Sequence, residues 1–306
     1  MPSSRQGSIH LFQAAGVDVF LHWSWFLVAA FEISSRSKSY SSVLWNVAEY
    51  LTLFLIVLLH EYGHALACRQ VGGTANRIIL WPLGGVAYVQ PPPHPGATLW
   101  SIAAGPLVNL VLLPVFLVLW YISRSSGWAA AMPNIHNWIT AVLIINVILL
   151  IFNLLPIYPL DGGQILRALL WFVVGRARSL MVATIIGFAG VAGLVALAVW
   201  MRSVWFGVIA VFILLNCVGG LRQAQVLLRV AKLPRREGFA CPECKAAPPV
   251  GDFWICDRCQ KKFDTFLTQG SCPQCATKFP VTICVDCGSL HPMSDWIVRA
   301  VPTPIS

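Results

Sequence analysis

The sequence predicts an all-α polytopic membrane protein of about six transmembrane helices with one re-entrant β-hairpin, followed by a small C-terminal module built on metal-binding cysteines. Three observations predict it. Of 306 residues, 57% are hydrophobic and only 11% charged, against roughly 25% charged in a typical soluble domain. Apolar runs near the length needed to cross a bilayer, about 20 residues, recur near 17–34, 47–68, 97–122, 138–156, 179–201 and 203–221. Of the ten cysteines, all but Cys68 and Cys217 fall into CxxC pairs after residue 240, and pairs at such short spacing read as metal sites rather than a secreted disulfide framework.

The runs differ in character. The first, 17–34, contains His22, Trp23 and Trp25, which read as interfacial aromatics beside a satisfied histidine. Residues 78–90, IILWPLGGVAYVQ, are apolar and β-prone, interrupted by Pro82 and Gly84-Gly85, and too short to cross. They are followed by PPPHPG, which cannot be helical. A hairpin dipping into the membrane fits them, because such backbone is tolerated where it is buried in protein or lines a wet cavity. Residues 164–174 supply about three helical turns for packing on the core. Residues 221–233 form a further amphipathic stretch. Up to Pro234 the acidic residues are Asp18, Glu32, Glu49, Glu61 and Asp161; the rest follow Arg235. The boundary therefore falls in KLPRREG, giving a membrane-embedded domain over 1–234 and a polar domain over 235–306.

Charge sets orientation. With a cytosolic N-terminus, the cytosolic segments hold Arg5, Arg69, Arg77, Arg167, Arg176, Arg178, Arg222, Arg229, Lys232, Arg235 and Arg236. The other side holds Arg36, Lys38, Arg124 and Arg202. The positive-inside rule then places both termini in the cytosol, a reducing setting that suits unoxidised cysteine pairs. A multi-pass protein of a prokaryotic cell (inner) membrane is expected, with the lipid bilayer as its surroundings and no signal peptide. The net charge of +9 is carried at span ends, with no basic stripe interleaved by aromatics, so nucleic acid is not an expected partner.

The second run ends LLHEYGHALA. His60 and His64, four residues apart, share one helix face and can reach one metal ion. Glu61 is placed to take a proton from water that the metal has acidified. Ionisable groups inside an apolar helix are costly and read as functional. A catalytic zinc needs a third protein ligand and an open position. After Glu61, the only acidic residue before Glu237 is Asp161, in NLLPIYPLDGG after the fourth run. In the orientation above, His60, His64 and Asp161 lie at similar depth. Pro156 and Pro159 end the preceding helix and Gly162-Gly163 permit a tight turn; capping of the next helix is the competing role for Asp161.

HEYGH followed about a hundred residues later by NLLPIYPLDGG resembles the site-2 protease family of intramembrane zinc metalloproteases. HWSW at 22–25, LGGV at 83–86 and AAGPLVN at 103–109 agree with it, and the likeness covers roughly residues 9–175. The resemblance implies hydrolysis of a peptide bond in or beside a transmembrane segment of a membrane-protein substrate, with zinc held by His60, His64 and Asp161. It also implies that Asn153 positions substrate or stabilises the oxyanion. An amide at the end of a span can do so; a helix–helix hydrogen bond is its other reading. Asn109 and Asn146 read as packing groups of that second kind. The edge around Gly84 and Gly85 can bind an extended substrate by strand addition.

The tail reads CPEC (241–244), CDRC (256–259), CPQC (272–275) and CVDC (284–287). Two CxxC knuckles make one closed structural zinc site, and the segment resembles the double zinc ribbon family. Spacing favours Cys241, Cys244, Cys256 and Cys259 on one zinc and Cys272, Cys275, Cys284 and Cys287 on the other, with crossed pairing as the alternative. The fold class is thus an all-α polytopic membrane protein with a C-terminal zinc-ribbon domain, carrying one catalytic and two structural zinc ions. The ribbons are open to a protein partner. Three competing readings remain. A catalytically silent relative that binds membrane proteins would not need Glu61. A metal transporter would spread ionisable groups over several spans. A membrane zincin with a glutamate third ligand lacks that glutamate between residues 62 and 236.

Overall fold

Most of the apolar runs form helices, and among the described residues five are long and apolar enough to cross a bilayer. The computed structural model describes residues 7–35, 40–81 and 84–298; Pro82 and Leu83 of the expected hairpin break lie outside them. In chain order the membrane part runs β1 (Ser8–Ala14), β2 (Val17–His22), α1 (Ser24–Ser35), α2 (Val43–Gln70), β3 (Thr74–Trp81), β4 (Gly84–Gln90) and α3 (Pro95–Ser125). It continues with the short α4 (Trp128–Ala131), α5 (Pro133–Leu154), α6 (Asp161–Trp200, broken at Gly175, φ 81°, ψ 168°) and α7 (Val204–Ala231).

The run at 17–34 departs from expectation. It is half strand: VDVFLH alternates, burying Val17 and Val19 while Asp18 is only half-buried, which is the period of a pleat and not of a helix. The short helix α1 follows. Together β2 at ~20 Å and α1 at ~18 Å approach the ~42 Å length of the 28-residue helix α2. The chain thus returns from the C-terminal end of α2 to its N-terminal end without a full-length helix. Side-chain contacts mark the climb. Arg69, in the last turn of α2, donates to Ala15 O. Further up, Tyr50 donates to Trp25 O at 2.9 Å.

The expected hairpin forms as β3–β4, and it is not alone. The sheet has order β1-β2-β3-β4, with β2 parallel to β3 and the other pairs antiparallel. It packs on α2 through Val17, Val19, Ile78 and Leu80 against Val57, Leu58, Ala65 and Cys68. β4 is one edge of the sheet and β1 the other. The stretch 164–174 is the first part of α6, and the amphipathic stretch 221–233 continues α7 to Ala231. A second core joins α6 and α7 through Val191, Leu194, Ala210 and Ile213, with Ile157 and Tyr158 packed against it.

The chain divides into two units, Met1–Gly175 with Val182–Gly219, and Arg176–Met181 with Gly220–Ser306. The second holds two small hairpins, β5 (Trp254–Ile255) with β6 (Lys262–Phe263) and β7 (Val281–Ile283) with β8 (Leu290–Pro292). Trp296 is fully buried at its centre with Trp254, Phe263 and Phe266 around it.

Candidate metal centre

Three helices assemble the membrane site. His60 and His64 lie on consecutive turns of α2, with ring centroids 4.8 Å apart. Asp161 is the first residue of α6, where the helix N-terminus favours a negative charge. Its carboxylate does not cap the helix; the cap position is Leu160, without a side-chain bond. Instead Asp161 Oδ2 lies 3.0 Å from His60 Nε2 and 3.4 Å from His64 Nε2. The two Nε2 atoms are 3.1 Å apart. All three side chains are nine-tenths buried or nearly so. The histidines' other nitrogens face acceptors: His60 Nδ1 the Asn109 Oδ1 at 2.6 Å, and His64 Nδ1 the Ser101 backbone O at 2.9 Å. Each ring proton therefore belongs on Nδ1, and a neutral ring turns a lone pair inward at Nε2. Two such lone pairs and a carboxylate facing one another repel unless a cation sits among them, so the donor set fits a zinc ion.

Glu61 is buried beside this cluster. Its Oε2 accepts from Ala87 N at 2.9 Å, so the edge strand β4 fixes the carboxylate. The backbone closes in tightly: a Cβ at Gly85 would overlap the Glu61 side chain, and one at Gly105 of α3 would overlap both imidazoles. Only glycine permits either approach. A cavity of about 910 Å³ opens here, lined by His60, Glu61, His64 and Asp161, by Gly85–Val89 of β4, and by Asn153 at the end of α5. The structure therefore brings together His60, Glu61, His64, Asp161, Asn153 and Gly85; Gly84 sits next to Gly85, paired with Trp81 at the closed end of the hairpin. Gly105 and Asn109 enter the site unannounced. Both stand in AAGPLVN, a motif visible in the sequence whose contacts with the histidines are not. Asn109 and Asn146 do bond across helices as expected, and Asn109 reaches His60 as well.

The cysteines form two further donor sets, each with its Sγ atoms within 4.8 Å of one another: Cys241, Cys244, Cys284 and Cys287, and Cys256, Cys259, Cys272 and Cys275. This corrects the consecutive pairing that spacing favours. The second and third knuckles pair inside, and the first and fourth pair outside. The cause is closure of the module's ends: Ala240 N donates to Trp296 O at 2.8 Å and Val298 N to Gly238 O at 3.0 Å. Those bonds carry the first knuckle to the fourth, and closing the longer loop costs little extra because its entropy grows only logarithmically. Thiols in both sets, Cys244 in one and Cys272 and Cys275 in the other, are shifted toward the thiolate, the metal-binding form. Cys244 is pulled down to about 5, chiefly by the Cys284 thiol. Cys275 is pulled down to about 6, chiefly by the Thr277 hydroxyl. Arg235 clasps the outer fourth knuckle, donating to both oxygens of Asp286 at 2.6 and 3.0 Å, and Arg176 donates to Asp286 O.

Helices long and apolar enough to cross a bilayer, carrying a His-His-Asp donor set with a buried glutamate beside it, define a membrane-embedded metal centre. Comparison with known proteins narrows the class. Peptidase family M50 matches residues 48–126 and 121–197, about half of the chain and the stretch that carries His60, Glu61, His64, Asn153 and Asp161. A zinc metalloprotease of Methanocaldococcus jannaschii is 34% identical over 59% of this chain and 50% of its own length. A Synechocystis protein whose name reads "putative zinc metalloprotease" is 28% identical over 69% of this chain and 59% of its own. The chain thus spans little more than half the length of these curated relatives. The solved site-2 protease from Methanocaldococcus jannaschii superposes with a TM-score of 0.51 at 27% identity, over 70% of this chain and 95% of that one. This chain is a member of the site-2 protease family, an integral membrane protein.

Proposed function

We propose that this chain is an intramembrane zinc endopeptidase that cleaves a peptide bond in or beside a transmembrane segment of another membrane protein. One observation carries the reading: Glu61 lies against a converging His60–His64–Asp161 donor set, in a cavity walled on one side by a strand edge. A zinc ion held by those three residues would acidify water and polarise the scissile carbonyl. Glu61 takes the proton of the attacking water and returns it to the leaving amine. The Ala87 amide holds one carboxylate oxygen in place for both transfers. The Asn153 amide, in the same cavity, donates to the oxygen on which charge develops.

A helical substrate hides its peptide bonds, so the cleaved stretch must be extended. The β4 edge, including Gly84 and Gly85, offers it strand pairing. Ala87 N–H points away from β3 to Glu61, and by the alternation of a ladder the Val89 N–H faces the same way. Val89→Pro removes that donor without touching Glu61. It should raise KM for cleavage of a membrane substrate with zinc content unchanged; an unaltered KM would argue against strand addition.

In this reading residues 1–234 carry the chemistry, and 235–306 form a cytosolic double ribbon with two structural zinc ions and a surface for a protein partner. Both termini face the cytosol of a prokaryotic cell, as the distribution of Lys and Arg favours. Membrane proteomes of cells carrying wild-type protein or Glu61→Gln test the function. The variant should accumulate a membrane-anchored precursor. Identical proteomes would favour a catalytically silent relative that only binds membrane proteins.

A further inference from the structure

We infer that Asn109 and Asn146 are positioning residues that dictate which nitrogen of His60 faces the metal, and that the instruction originates in a backbone carbonyl of α3. The inference rests on the zinc reading above and deepens it. Asn146 Nδ2 donates to the backbone O of Asn109 at 3.0 Å. A carbonyl can only accept, so the orientation of the Asn146 amide is settled: its Oδ1 turns to the Asn109 side chain. Asn109 Nδ2 donates to that oxygen at 2.9 Å. The Asn109 amide is settled in turn, and its Oδ1 faces His60 Nδ1 at 2.6 Å. An amide oxygen has no proton to give, so the proton between them sits on Nδ1. Nε2, the atom 3.0 Å from Asp161 Oδ2, keeps the lone pair.

Both asparagines are fully buried, at 0% exposure. Flipping either amide breaks its bonds where water cannot replace them, at about 1–3 kcal/mol for each unsatisfied group. The relay runs through α5, α3 and α2, so the tautomer of His60 is written by the packing of three helices. His64 needs no relay, because the Ser101 carbonyl meets its Nδ1 directly. Gly105, one turn before Asn109, lets α3 come close enough for both arrangements.

The test uses the full chain purified in detergent. The zinc equivalent that His64→Ala removes is titrated by chelator competition, and histidine tautomers are read from side-chain 15N shifts. Asn146→Leu, which touches no ligand, and Asn109→Leu should each lower that zinc affinity about 10- to 100-fold and alter the tautomer signature of one histidine. Asn109→Asp keeps an acceptor for Nδ1 and should stay near the wild-type affinity. A packing role predicts the reverse ranking, since a buried carboxylate disturbs a core more than leucine does. Where leucine unfolds the protein, Asn109→Ala replaces it in the comparison with Asn109→Asp. Unchanged affinity and 15N signature in the leucine or alanine variants, or Asn109→Asp weaker than they are, overturns the inference while leaving zinc in place. Wild-type protein with no zinc sensitive to His64→Ala overturns the zinc reading itself and this inference with it.

Discussion

Two donor sets built from cysteine and one built from histidine and aspartate sit in the same chain and teach opposite lessons. The ribbon sets each offer four thiols, two from each of two CxxC knuckles. The membrane set has three donors, a glutamate next to them and a cavity of about 910 Å³ in front. Four protein ligands hold a fold together, whereas three leave a position for chemistry. The scaffolds differ accordingly. The ribbon gathers its buried residues around Trp296, and structural metal would make up for so small a core. The membrane set is carried on helices that pack against one another without it, so a metal held there, as proposed above, would be free for chemistry.

That contrast can be broken at several points. The largest effect is expected in the ribbon. Cys241→Ser and Cys284→Ser should each lose the same zinc equivalent, and the double variant should lose no more; Cys256→Ser and Cys272→Ser should share the other. Metal content by mass spectrometry of the intact protein decides it. Loss of a second equivalent in Cys241→Ser/Cys284→Ser would restore the consecutive pairing. Next comes Gly85→Val. Its side chain must displace Glu61, so cleavage should fall by about 10²-fold or more while all zinc is retained; zinc loss would show that Gly85 supports the ligands instead. The smallest is Asp286→Asn, which weakens the Arg235 clasp. This pair is partly exposed, so the ribbon's urea midpoint should drop by an amount worth about 1 kcal/mol or less, with proteolytic activity unmoved.

The two regions were also unequally legible. HEYGH announces itself because its geometry is local: four residues make one helical turn wherever the helix sits. Asp161 stands out because no other acidic residue lies between Glu61 and Glu237. The ribbon knuckles were equally plain, but their partnership was not. It depends on Ala240 meeting Trp296, a long-range closure that CxxC spacing does not encode. The run at 17–34 misled for a different reason. A span and an inserted strand are both apolar, and only the alternation of VDVFLH over six residues separates them. Gly105 and Asn109 were visible as letters, yet their contacts with the histidines exist only after α3 has packed on α2.

The strand within residues 17–35 bears on how the protein enters its membrane. A helix satisfies its own amides and can leave the insertion machinery alone. A strand cannot. The amides of β2 are met by β1 on one side and β3 on the other, and β3 is synthesised only after the whole of α2. The amides of β2 are therefore fully met only once α2 and β3 have followed it in the chain, so the strand is completed by a long-range pairing where a helix would have been complete by itself.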